Sequence, residues 1–269
     1  RRAGQGPEEG RERGKKQLRT YGAIGMTLQW AALGAALFFA LLRVPTAIRG
    51  DNRGMFYALI FLSAAMALSI PYFYLPVDSL LGGVNAANLL LRYLLFAVLL
   101  ILGLKAAVAF QAQLAARLIG GPVGMIVLAA CAVSVAVLYV LSDLPESSTA
   151  LAAYWDQDTV HAYGDSARLY QIYVGACLVP SLVGSAAASR LPADIRVSAA
   201  LLALGLAASV IHSALSLAAI NPNIGVWDTV LPYSAVIVVS LGLGIMWNAR
   251  RIAKRRPKPG LLARAYASR

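Results

Sequence analysis

Arg92 and Lys105 make the strongest chemical demand in this sequence, because both stand inside one apolar stretch, NAANLLLRYLLFAVLLILGLKAAVAF, residues 85–110. An ionised side chain within a bilayer is costly unless it snorkels to the interface or finds a partner. Asn85, Asn88 and Arg92 recur at i, i+3 and i+7 and share one helical face. Lys105 falls on nearly the opposite face, near the far end. There its stem reaches the headgroups, with an ion-pathway role as the alternative. Asp78, Asp165 and Asp228 are the carboxylates expected on Arg92's side of the membrane. Arg92 with Asn85 and Asn88 is then either an outward-facing polar pocket for an anionic or zwitterionic ligand, or half of a structural helix–helix salt bridge.

His212 stands midway along another apolar run, with Ser209, Ser213 and Ser216 around it at helical spacing. It reads either as a packed, hydrogen-bonded histidine or as a proton or substrate site. Haem would require a second axial ligand on a facing helix, and the other histidine, His161, lies in an acidic connector. Retinal would require a Schiff-base lysine on the last apolar run, which has none. Asp156, Asp158, His161 and Asp165 are a possible cation set, but they lack the glycine and distal glutamate of a calcium loop and read as solvated acid. Cys131 and Cys177 lie in apolar runs without metal or redox spacing, as packed small residues do. No hydrolase, zinc-protease, P-loop or dinucleotide signature is present, so no enzyme, cofactor or metal is expected.

The elements that must position these residues follow from composition. Of 269 residues, 59% are apolar and 13% charged, with a mean hydropathy of +0.67; soluble domains carry about 25% charged residues. The formal net charge of +12 is concentrated toward the two ends, which favours topology signals and contacts to anionic lipid over nucleic acid. About 20 apolar residues cross a hydrocarbon core of roughly 30 Å. Seven stretches qualify: about 21–42, 55–75, 85–110, 123–141, 167–189, 197–220 and 227–247. The expected fold is therefore all-α, a polytopic transmembrane bundle of seven helices over 21–248. A charged, solvated N-terminal arm covers 1–20, and a basic cytoplasmic tail covers 249–269.

Aromatics in SIPYFYLP suggest an interfacial belt at the end of the second helix, and Pro180 a kink in the fifth. Arg43, Arg49, Arg53, Arg117, Arg190 and Arg196 occupy connectors one, three and five, whereas the others are acidic with only Arg168 nearby. The positive-inside rule then places the C-terminus in the cytoplasm and the N-terminus outside, against the basic residues of the first arm. The chain opens on Arg1 without a signal-peptide pattern and is expected to be a fragment or a processed form.

The order of these features resembles a family of actinobacterial seven-helix integral membrane proteins described as transporters. The likeness is carried by the aromatic and proline end of helix two, VDSLLGGVNAANLLLRYL at 77–94, the acidic fourth connector and the short loop into an apolar sixth helix. It spans about Thr27 to Trp247, and longer members carry further cytoplasmic sequence. It implies a multi-pass protein of the cell membrane that is a transporter or a ligand-responsive protein. The pocket is expected near the outer face between helices three, five, six and seven, from Arg92, Asn85, Asn88, Asp78, Asp165, Asp228 and His212. The alternative is a non-catalytic structural or regulatory subunit that docks a protein partner in a membrane complex. Gly22, Gly25, Gly175, Gly184, Gly242 and Gly244 would permit close helix contacts in either case.

Overall fold

The computed structural model describes residues 7–50, 53–218 and 227–255, with side chains from 24 to 50, 53 to 218 and 230 to 249. Among them the regular elements are all helical. They are α1 (Pro7–Leu41), α2 (Val44–Ile48), α3 (Arg53–Leu68), α4 (Pro71–Leu80), α5 (Ala86–Ala109), α6 (Gln113–Gly120), α7 (Pro122–Leu141), a short 3₁₀ segment η1 (Thr149–Tyr154), α8 (Asp158–Ala187), α9 (Ala193–Leu217) and α10 (Trp227–Arg255). Six helices, α1, α5, α7, α8, α9 and α10, are long and apolar enough to cross a membrane, and α3 with α4 satisfies the same measure as one span bent by 94°. This is a multi-pass membrane architecture.

The bend has a local cause. Pro71 brings no N–H to a continuing helix, and its ring drives Ile70 out of the α region, to φ -98 and ψ 125. The second span, expected as one helix over 55–75, is thus two helices, and Asp78 rides on the second. Residues 7–20, expected as a separate arm, continue the first spanning helix back to Pro7; they are rich in Glu, Lys, Arg and Gln, all good helix formers. α6 fills the turn expected to be a bare break before residue 123. α8 begins at Asp158 rather than near 167, so Asp158, His161 and Asp165 lie in its first turns instead of in a loop. An aspartate there suits the positive end of the helix dipole. The tail expected from 249 starts as helix, since α10 continues to Arg255.

α1, α3, α5, α8, α9 and α10 form a closed ring in which each packs on the next and α10 returns to α1, while α7 lies outside against α8. Leu59, Leu62, Phe96, Tyr170, Val174, Leu182, Leu202 and Leu243 belong to one buried core shared by these helices. Close approach is made by particular glycines: a Cβ on Gly175 would strike Val210, one on Gly205 would come within 2.7 Å of Val239, and one on Gly244 would strike Phe39. Gly22 and Gly184, expected to do the same, face open space. Val123, Ile126, Val133, Val137 and Val140 of α7 are exposed, an outward surface that suits lipid.

Two ends follow from this packing. One carries α4, the 142–157 segment with η1, and the starts of α5 and α8; the other carries the 42–54, 110–121 and 188–192 connections. Lys105 is exposed toward the latter, its stem over Gly54. Arg43, expected in a solvated connector, is instead buried at that end and donates from Nη2 to the Leu243 carbonyl at 2.9 Å. Burial lowers its guanidinium to about 10, so it remains charged at neutral pH.

Candidate functional site

The η1 end is organised by a buried carboxylate. Asp78, with 0% exposure near the end of α4, accepts the backbone N–H of Asn85 at 2.9 Å and of Ala87 at 2.8 Å, and the Ser147 hydroxyl at 2.5 Å. Those amides open α5 and have no partner within their own helix. Asp78 therefore acts as a cap supplied from a neighbouring helix, with its charge at the favourable end of the α5 dipole. Asn85 sits beside it at φ 63, a left-handed conformation that asparagine tolerates better than most residues. Its Oδ1 accepts the Tyr74 hydroxyl at 3.0 Å and the Ser148 amide at 2.6 Å, and its Nδ2 donates to the Glu146 carbonyl at 2.6 Å. The Tyr139 hydroxyl adds a bond to the Val84 carbonyl at 2.8 Å. Through these contacts the 146–148 segment is latched onto the α4–α5 corner.

The expected pairing of Arg92 with one of three carboxylates does not form among the described residues. Asp78 is consumed by the cap. Asp165 pairs within α8, its Oδ1 at 2.7 Å from Arg168 Nη1. Asp228 lies in α10, and its side chain is outside the described residues. Arg92 instead places its guanidinium carbon 5.2 Å from the centroid of the Tyr163 ring. Tyr163, itself 1% exposed, donates its hydroxyl to Asn88 Oδ1 at 2.8 Å. Asn88 and Arg92 thus share a contact face toward α8, whereas Asn85 belongs to the latch below them. Arg92 Nε is buried without a hydrogen-bond partner. A cation–π contact contributes about 0.5–2 kcal/mol. An arginine at mid-membrane costs roughly 2.5–3.5 kcal/mol, so the contact offsets only part of such a charge.

A cavity of ≈ 260 Å³ opens inside the ring, lined by α3, α5, α8, α9 and α10. Leu62, Leu95, Leu99 and Val236 make its apolar wall, and Ser69, Gln171, Ser209 and Tyr233 its polar points. Gln171 Nε2 donates to the Ser209 hydroxyl. Gln29 of α1 donates from Nε2 to Tyr233 at 3.0 Å and lies 3.4 Å from the Ser69 carbonyl. The pocket expected among the third, fifth, sixth and seventh spans is therefore joined by α3, and Arg92, Asn85, Asn88, Asp78, Asp165 and His212 are not among its lining residues. His212 stands on α9 one turn beyond Ser209. The polar stripe around it includes Ser209, and the matching polar point on α8 is Gln171, three residues after Arg168.

A second crevice of ≈ 380 Å³ at the opposite end is lined by Gln111, Ser181, Ser185 and Arg190 among smaller residues. In comparisons with known proteins, no protein-family model, no curated protein and no solved structure matches this chain.

Proposed function

We propose that this chain is a transporter or ligand-responsive protein of the cell membrane, seven-spanning with its N-terminus outside, which binds a ligand bearing a negative charge at Arg92. One observation supports it above the others: Arg92 is a half-buried cation with its Nε enclosed, and two of the carboxylates expected beside it are engaged elsewhere, Asp78 by the start of α5 and Asp165 by Arg168. A structural salt bridge with either of these two would have placed it beside Arg92. The protein in this reading binds its ligand and does not convert it. The resemblance to the actinobacterial seven-helix family agrees with that role, and the α3–α4 pair supplies the seventh crossing.

Native mass spectrometry of protein purified in mild detergent tests the reading. An acidic small molecule should accompany the wild type and be lost from Arg92→Gln, with Arg92→Lys retaining part of it. Equal occupancy in wild type and Arg92→Gln, both eluting as folded protein, would remove Arg92 from the site.

A further inference from the structure

We infer that the ligand is an amphipathic acid, a carboxylate or similar anion on a single short apolar body, with the anion between Arg92 and Arg168 and the body in the intramembrane cavity. This rests on the Arg92 reading above and names the class of ligand.

The argument begins with helical register. Leu95 and Leu99 line the cavity and follow Arg92 at i+3 and i+7 on α5; Gln171 lines it and follows Arg168 at i+3 on α8. Three residues rise about 4.5 Å along a helix. Arg168 therefore lies one turn nearer the η1 end than Gln171, Arg92 lies level with Leu91 at the η1 end of the cavity wall, and both guanidinium groups rest against one turn of α8, Arg92 over the Tyr163 ring and Arg168 at Asp165 beside Gly164. Asp165 is the carboxylate paired in this group, so two positive charges face one negative among the described residues. The surplus calls for an anion.

The cavity decides what else the ligand carries. Its volume of ≈ 260 Å³ lies just below the usual range of roughly 300–1,000 Å³, which suits one short chain or ring and excludes a two-tailed phospholipid. Its wall is mostly aliphatic, so an inorganic anion would leave it unfilled. A zwitterion fits less well than a simple acid, because its ammonium would meet Arg92 and Arg168 with the nearest carboxylate already bonded. The Gln171–Ser209 pair and Tyr233 leave room for one polar substituent along the body.

The test uses the full chain in phosphatidylcholine nanodiscs, with empty nanodiscs as blank. Radiolabelled octanoate, acetate and octanol serve as probes. Octanoate should bind at least roughly a hundredfold tighter than acetate, from the added methylenes buried. Arg92→Gln should weaken octanoate about tenfold or more, the loss of a charge-assisted contact. Ser209→Leu, which fills the cavity without touching either arginine, should weaken octanoate by a similar factor and leave acetate unchanged. Octanoate held no tighter than acetate, with acetate still lost in Arg92→Gln, would overturn the amphipathic body and preserve the anion site. Octanol binding as well as octanoate, with Arg92→Gln indifferent, would overturn both the present inference and the Arg92 reading. Retention of all three probes by Ser209→Leu, shown to be folded by its thermal unfolding, would place the body elsewhere and overturn the assignment to this cavity.

Discussion

Asp78 and Arg92 provide a decisive perturbation, because proximity in sequence and charge makes them partners on paper and the structure separates them. Asp78→Asn keeps the shape but replaces one carboxylate oxygen with an NH₂ group. Asp78 accepts two backbone amides and one hydroxyl, so at least one donor must lose its acceptor and face another donor. Hydrogen bonds to a charged group contribute about 1.5–3 kcal/mol, and a buried orphaned donor costs about 1–3 kcal/mol. A loss of about 2–4 kcal/mol is therefore expected for Asp78→Asn. Arg92→Gln removes a cation–π contact and also the burden of a half-buried charge, and its effect should stay within about 1 kcal/mol. The two changes should add, with an interaction energy below about 0.5 kcal/mol, as for sites that share no partner. Equilibrium unfolding in mixed micelles, followed by tryptophan fluorescence, reads the cycle, and Trp155 lies next to η1 where the latch would open. A coupling above about 1.5 kcal/mol between Asp78→Asn and Arg92→Gln would show an ion pair and refute the cap, as would an Asp78→Asn protein as stable as wild type.

Three other outcomes follow from the same geometry. Asn85→Ala should be less stable than Asn85→Gly by about 1–2 kcal/mol, since both lose the side-chain bonds but only alanine is strained at φ 63; equal unfolding midpoints would show that the left-handed turn relaxes. Gly175→Leu should destabilise the α8–α9 contact by about 1–3 kcal/mol through collision with Val210, and Gly184→Leu, which meets nothing within 4 Å, should be nearly neutral in the same thermal melt. In intact cells a membrane-impermeant maleimide should label Ala153→Cys and spare Arg190→Cys, both exposed positions at opposite ends of the bundle; the reverse pattern would invert the proposed orientation.

Hydropathy made most of the fold legible: the fourth run, expected at 123–141, is α7 at Pro122–Leu141, and the later spans overlap their apolar runs, although α8 starts nine residues before the expected 167. What hydropathy missed were events of backbone chemistry. Ile70–Pro71 carries its own signal, a residue barred from the α region followed by one without an N–H, beneath the aromatic residues that suggest an interfacial belt. The role of Asp78 had no such signal, because it caps α5 across the Gly82–Gly83 turn, seven and nine residues away, outside any local capping pattern.

The misplaced partner of Arg92 has the same origin. Charge and depth alone would match Arg92 to Asp78, but the unbonded amides that open α5 are fixed to the backbone and cannot turn away. A guanidinium on a long stem can, and here it lies over Tyr163. Where a buried carboxylate can serve either, the rigid donors claim it first and the flexible cation is left positive. In the sequence such a cation looks like half of a salt bridge; in the folded protein it rests on an aromatic ring, and the proposed anion is what would complete it.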